Sequence, residues 1–322
     1  MTYTKILGTG RYLPENTISN NDLKQFVDTN DEWIFTRTGI KQRHISTGET
    51  TLDLAYQASL KAIKAANIKA SEIDIIIVAT VTSDYAFPGV ANLLQAKLGI
   101  SNIMAFDINA ACSGFLYAMQ IADKMIKSKA YHKALIVGAE TLSRLTDWRD
   151  RNTCVLFGDG AGAMIIGTSN YNHIKDIITG SKGDEEMLLY CKNPDLKSIE
   201  ENLVSPQDHI HMNGKEVFKF ATRMMPKTLN ELLERNNHEI SDLNYIVAHQ
   251  ANSRIIQKAA KDLNIDMDKM YINIDQYGNT SAASVPIAID EAIEKGYIKK
   301  GNLFATVAFG GGLTWASALI EY

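Results

Sequence analysis

Ile103-Met104-Ala105-Phe106-Asp107-Ile108-Asn109-Ala110-Ala111-Cys112-Ser113-Gly114-Phe115 is the stretch on which the fold turns. Its first six residues are an apolar run of strand type. Beyond Phe115, the residues Leu116, Met119, Ile121, Ala122, Met125 and Ile126 recur at roughly helical spacing, so a strand passes into a helix at Cys112. Ala110, Ala111, Ser113 and Gly114 are small enough to let other groups approach the sulfur. A helix N-terminus presents unpaired N–H groups and a partial positive charge. A thiol placed there is expected to ionise more readily than usual, and the thiolate is the nucleophile. A lone cysteine also reads as a small buried apolar residue, and at this point both readings stand.

Working outward, Thr51 opens a helix with Leu52, Ala55, Ala58, Ile63 and Ala66 on one face. Ile73 to Ala79 is a continuous apolar run, as in a strand buried on both faces. After the Cys112 unit comes the strand Ala134-Leu135-Ile136-Val137-Gly138. This alternation predicts an α/β protein with a largely parallel sheet. Phe157-Gly158-Asp159-Gly160-Ala161-Gly162 invites a dinucleotide reading, but a strand rather than a helix follows, so a tight hairpin is expected. The second half then repeats the first. A spacing of 168 residues sets Asp275 against Asp107, Leu303 against Leu135 and Thr280 against Cys112. The expected organisation is a first half at 1–170, a variable excursion at 171–213 that shapes a binding site, and a second half at 214–322.

Composition narrows the function. Of 322 residues, 45% are hydrophobic and 22% charged, which excludes a disordered chain. The net charge of −4 excludes a generally basic nucleic-acid binder. The longest apolar runs are far too short to span a bilayer, and Met1 leads directly into a strand-like segment with no signal-peptide pattern. Three widely spaced cysteines argue against a disulfide framework and a zinc site, and imply the reducing cytoplasm. His209 and His211 lack a third ligand motif, so no metal is expected.

The repeat brings forward two more turns at strand ends, Ala248-His249-Gln250-Ala251-Asn252 and Tyr277-Gly278-Asn279-Thr280-Ser281. Ligands of α/β sheets collect outside the carboxyl ends of strands, so Cys112, His249 and Asn279 are expected to meet. A thiolate, an imidazole and an amide suit acyl transfer, with the latter two donating to developing negative charge. A single histidine after a strand is also a common packing residue. Phe309-Gly310-Gly311-Gly312 follows another strand, where glycines either let backbone N–H groups approach a ligand or simply make a bend.

These motifs, together with Asp31-Glu32-Trp33, Thr36-Arg37-Thr38-Gly39-Ile40 and Phe309-Gly310-Gly311-Gly312-Leu313-Thr314-Trp315, resemble β-ketoacyl-acyl-carrier-protein synthase III, in the same order along essentially the whole chain. The resemblance implies the thiolase fold, two βαβαβαββ units in an α-β-α-β-α layering. It implies condensation of a short acyl-CoA primer, acetyl-CoA foremost, with malonyl-acyl carrier protein, releasing CO₂ and CoA. Coenzyme A enters as a thioester substrate, and no cofactor is implied. Carried over, Cys112 takes the acyl group, His249 and Asn279 hold the malonyl thioester oxygen, and the N–H groups of Cys112 and Gly311 form the oxyanion hole. Phe309 shields the sulfur from water. Trp33 and Arg151 sandwich the adenine, with Arg37 near phosphate. Leu142, Phe157 and Leu189 line the acyl pocket, which Phe87 of a homodimer partner closes.

Lys215, Lys219, Arg223 and Lys227 recur every four residues, followed by Arg254, Lys258 and Lys261. Spaced charges usually solvate a helix, and Pro226 is expected to bend or end the first stripe. The family's acidic acyl carrier protein gives the stripes a partner, with Lys219, Arg254 and Lys258 as contacts. Two rival readings remain: a related Cys-His-Asn synthase making a polyketide or quinolone, and a non-catalytic acyl-binding homologue. A biosynthetic thiolase fits less well, since Phe309-Gly310-Gly311-Gly312 lacks its second cysteine.

Overall fold

In the strand Ile75–Ala79 every residue is buried, and successive side chains enter different cores. Ile75 and Ile77 join one apolar cluster, Ile76 and Val78 another. This is the pleat of a strand with helices on both faces, and it explains a run with no polar alternation. The computed structural model, which describes residues 2–193 and 208–322, places the strand within a five-stranded sheet. The order across that sheet is Tyr3–Tyr12, Gly160–Ser169, Lys133–Glu140, Ile75–Ala79 and Met104–Ile108. Lys133–Glu140, Ile75–Ala79 and Met104–Ile108 run parallel, and Gly160–Ser169 is antiparallel to its neighbours.

A second five-stranded sheet has the same order: Ile174–Ser181, Thr314–Glu321, Leu303–Gly310, Tyr245–Ala248 and Met270–Tyr271. Each sheet arises from β, α, β, α, β, α, β, β along the chain. Helices Thr51–Ala66 and Val90–Lys97 cover the outer face of the first sheet, and Gly214–Arg235 and Ser253–Asp262 that of the second. Between the sheets lie Gly114–Lys127 and Ser284–Glu294. They contribute Phe115, Leu116, Val285 and Ile289 to a core that also receives Ile136 from one sheet and Phe304 from the other. The layering is α-β-α-β-α.

The halves superpose in sequence at 170 residues, not 168. The strands Lys133–Glu140 and Leu303–Gly310, and the turns Ala111–Ser113 and Ser281–Ala283, begin 170 residues apart, so Ala305 rather than Leu303 matches Leu135. The two-residue correction moves the counterpart of Cys112 from Thr280 to Ala282. Ile174–Ser181, inside the stretch expected to be an excursion, is the first strand of the second sheet. The remainder of that excursion forms a small hairpin, Leu189–Tyr190 with His211–Met212, and the part at 194–207 lies outside the described residues. Gly214–Arg235 is one helix that runs through Pro226, against the expected break.

Candidate active site

Cys112 sits in a single 3-10 turn, Ala111–Ser113, between the strand Met104–Ile108 and the helix Gly114–Lys127. The turn begins on Ala111 at φ 45° and is fastened by Asn109 Oδ1, which accepts the Ala111 N–H at 3.2 Å. The second half builds the same turn at Ser281–Ala283. There Ser281 has φ 47°, and Asn279 Oδ1 accepts its N–H at 2.9 Å. Asn279 is therefore the counterpart of Asn109. With its carbonyl oxygen occupied, the Asn279 side chain has its NH₂ left to offer a ligand. Its backbone is clamped as well: Asn279 N–H donates to Leu156 O at 2.8 Å and Asn279 O accepts from Gly158 N–H at 3.0 Å.

His249 follows the strand Tyr245–Ala248 and is 1% exposed. Its Nδ1 lies 2.7 Å from Ser284 Oγ, which also accepts the Gln250 N–H at 2.9 Å. The imidazole meets Phe309 edge-to-face, with ring centroids 5.3 Å apart. Burial pulls its pKa down to about 3, so the ring is neutral at physiological pH.

Cys112, His249, Asn279, Phe309 and Gly310 line one cleft of about 560 Å³, whose mouth carries Trp33 and Arg37. Cys112 and His249 thus come from strand ends of the two sheets, as expected from the sequence, whereas Asn279 follows the short helix Ile274–Tyr277 and not a strand. The ionisation of the thiol departs from expectation. Burial pushes Cys112 up to about 12, a hydrogen bond from Ser281 lowers it, and the charge of Glu140 raises it. The helix proper starts only at Gly114, two residues past the sulfur, and the thiol itself is buried. In the sequence Gly310 is only one of a run of glycines open to either reading, a close approach to a ligand or a bend. A Cβ there would stand 2.8 Å from Cys112 N, so only glycine leaves that N–H open to a ligand oxygen. Gly311 is the next residue, buried, with its Cβ position 3.2 Å from Leu189 O.

Leu142 and Phe157 pack in one small buried cluster with Leu145 and Ile210, against which Leu189 lies. Phe157 and Leu189 also line the cleft, whereas Leu142 stands behind them. Phe87 is elsewhere, 85% exposed on the surface. At the mouth, the Trp33 ring carries two guanidinium groups, Arg37 Cζ at 4.6 Å and Arg151 Cζ at 4.7 Å from its centroid. Arg151 is steadied by donating to Asp28 O at 3.0 Å. Lys219 and Arg254 reach the rim of the cleft. Lys219 pairs with Glu216 at 2.7 Å, and Arg254 Cζ lies 5.7 Å over the Phe218 ring. Lys258 lies one turn further along its helix, paired with Asp262. Among the described residues no group of histidines, cysteines and carboxylates could hold a metal ion, and no helix is long and apolar enough to cross a membrane.

Comparisons with known proteins agree along the chain. The family model for 3-oxoacyl-[acyl-carrier-protein] synthase III matches residues 106–183, and that for its C-terminal part matches 233–322. The β-ketoacyl-[acyl-carrier-protein] synthase III of Clostridium tetani is 50% identical, covering 99% of this chain and 98% of that one. The crystal structure of 3-oxoacyl-[acyl-carrier-protein] synthase III from Aquifex aeolicus VF5 matches with a TM-score of 0.93 and 46% identity, over 99% of this chain and 100% of that one. The priming β-ketosynthase of the R1128 polyketide pathway matches at TM-score 0.92 and 32% identity, over 99% and 96%. Fold and cleft together define a condensing acyltransferase built on the thiolase fold. Within that class the chain belongs to the β-ketoacyl-[acyl-carrier-protein] synthase III family, which carries out the initiating condensation of fatty-acid synthesis.

Proposed function

We propose that this enzyme joins a short acyl group, acetyl foremost, from acyl-CoA to malonyl-acyl carrier protein, with Cys112 as nucleophile and His249 and Asn279 as the pair that handles the malonyl group. The observation that carries the reading is the convergence of these three side chains on one cleft. In the first half-reaction Cys112 attacks the acyl-CoA carbonyl, and the oxyanion is held by the N–H groups of Cys112 and Gly311, beside the space that Gly310 leaves open. CoA departs and the acyl group remains on sulfur. Phe309, buried beside His249, keeps water from the thioester.

In the second half-reaction malonyl thioester loses CO₂, and the resulting enolate oxygen needs donors. Ser284 Oγ already accepts the Gln250 N–H, so its hydroxyl hydrogen is free to go to His249 Nδ1, which leaves hydrogen on Nε2. The neutral imidazole and the Asn279 NH₂ then donate to the same oxygen without bringing a net charge into a dry site. The carbanion attacks the acyl thioester, expels Cys112 and gives the 3-oxoacyl product.

CoA binding follows from the mouth. An adenine would stack on Trp33 with Arg151 on its other face, and Arg37 would meet phosphate. Lys219, Arg254 and Lys258 would receive the acidic carrier protein. A second copy of the chain is the partner that best suits the strand Met104–Ile108, which has one hydrogen-bonded neighbour among the described residues and so ends its sheet. Met104, Tyr85 and Phe87 are exposed apolar side chains in and before that edge, and Phe87 would reach the partner's acyl pocket.

Incubation with acetyl-CoA followed by peptide mapping tests the reading: one acetyl group is expected on Cys112, and none in Cys112→Ser. Acetyl on Cys154 or Cys191 overturns it. A panel of acyl-CoA primers then separates a fatty-acid initiator from a polyketide-type synthase.

A further inference from the structure

The two N–H groups assigned to the oxyanion hole come from opposite halves of the molecule. Cys112 lies in the turn Ala111–Ser113, and Gly311 in the connection between the strands Leu303–Gly310 and Thr314–Glu321. Gly311 is buried, and among the described residues no group accepts its N–H. A buried amide hydrogen without an acceptor is rare, which marks this one as kept for a ligand. Two donors act as one hole only when both are aimed at the same oxygen. Yet Gly310, Gly311 and Gly312 follow one another here, and glycine is the least restricted backbone of all. The stiffness of the chain alone does not hold Gly311 against Cys112.

Thr314 supplies the missing link. Its buried hydroxyl donates to Ala110 O at 3.0 Å and to Gly311 O at 3.1 Å, one hydrogen shared by two carbonyl oxygens. Ala110 O also accepts the Ser113 N–H at 3.1 Å, the bond that closes the turn around Cys112. One side chain thus ties the Cys112 turn to the Gly311 backbone across the boundary between halves. The methyl of Thr314 is seated as well, since a Cβ on Gly312 would stand 2.9 Å from Thr314 Cγ2. A β-branched side chain has few rotamers, so a seated methyl holds the hydroxyl in its direction. Lys182 N–H donates to Leu313 O at 2.9 Å and anchors the far end of the same connection. The first half has no such device. Gly310 pairs with Thr314 as Glu140 pairs with Gly160, so the residue in the place of Thr314 there has no side chain.

We propose that Thr314 is a positioning residue for the thioester steps: its hydroxyl sets the distance and direction of the Gly311 N–H relative to the Cys112 N–H. The proposal rests on Cys112 being the nucleophile and on those two N–H groups being the oxyanion donors. Thr314 does not line the cleft, so it acts through the backbone it holds. Acyl loading and the final carbon–carbon bond formation both pass through a tetrahedral oxyanion at this hole. Malonyl decarboxylation instead places its negative charge at His249 and Asn279. Loss of the hydroxyl therefore slows the first two steps and spares the third.

The test is single-turnover acetyl loading as a function of acetyl-CoA concentration in Thr314→Val and Thr314→Ser, with decarboxylation of malonyl-acyl carrier protein in parallel. Valine keeps the branched shape and loses the hydroxyl, whereas serine keeps the hydroxyl. Thr314→Val should lower the saturating loading rate about 10-fold, less than the roughly 10²–10³-fold for deleting a donor, because the N–H remains and is only less well aimed. The acetyl-CoA concentration at half-saturation and the decarboxylation rate should each stay within about twofold of wild type. Thr314→Ser should recover most of the loss. Wild-type loading in Thr314→Val, a serine variant as slow as the valine one, or loading and decarboxylation falling together each overturns the positioning role. Acetyl retained by Cys112→Ser instead overturns the nucleophile assignment beneath it, whatever the Thr314 variants do.

Discussion

The turns Ala111–Ser113 and Ser281–Ala283 share their helical type, their strained first residue and their Asn clamp, yet only one carries a nucleophile. Their surroundings differ at one strand end. Facing Cys112 is Gly310, which has no side chain, whereas its counterpart in the first half is Glu140, whose side chain is buried. The two donors that complete the cleft, His249 and Asn279, come from the half that lacks the cysteine. A duplicated frame has thus become one site by dividing the work: one half supplies the sulfur, and the other supplies the donors and the empty space in front of it.

Removing the donors breaks this division most severely. His249→Ala or Asn279→Ala should lose about 10²–10³-fold in condensation rate, the usual size for one preorganised donor, while acetyl loading persists. Loading and condensation rates measured separately check this. Making the two strand ends more alike comes next. Gly310→Ala sets a Cβ 2.8 Å from Cys112 N and should slow acetyl loading by tens-fold, read as a loss in kcat with KM for acetyl-CoA little changed.

The outer helices offer a finer contrast. Gly214–Arg235 has 22 residues where its counterpart Thr51–Ala66 has 16, and the added N-terminal turns bring Lys215 and Lys219 over the cleft. Lys219→Glu with Arg254→Glu should raise KM for malonyl-acyl carrier protein about 10-fold and spare Cys112 acylation. The wild-type carrier reaction should weaken with salt. The smallest effect is on stability. Burial raises Glu140 from 4.5 to about 7, so the folded chain binds the extra proton in that window and loses stability as pH rises through it. Glu140→Gln should flatten the decline of Tm between about pH 4.5 and 7 by a few degrees, measured by thermal unfolding at a series of pH values.

Much of this frame was legible in the sequence because strands buried on both faces and strand-to-helix junctions leave strong patterns. The register between halves was not. Matching Asp107 to Asp275 compared two residues with different tasks: Asp107 accepts the Val90 and Ala91 N–H groups at 2.7 Å each, whereas Asp275 lies in a short helix facing Lys41. The bounds of the matching strands and turns, not residue identity, set the 170-residue offset. Cys112 and His249 announced themselves as turns at strand ends, and Asn279 as a Gly-Asn turn, although a short helix and not a strand precedes it. The ionisation of Cys112 did not, because what packs against it, including the Gly310 backbone, is remote in the chain. Glu140 did leave a signal, a lone carboxylate closing an apolar strand, which the search for motifs passed over.

The layer between the sheets carries a consequence for how the molecule comes apart. Its core draws Ile75, Ile136 and Phe115 from one half and Val247, Val285 and Phe304 from the other. Each half seals the inner face of its neighbour, so neither holds a dry interior alone. The repeat is a property of the chain's geometry and not of its cooperativity. The two copies should melt together in one transition, and a chain ending near residue 170 should expose a sheet face with nothing to cover it.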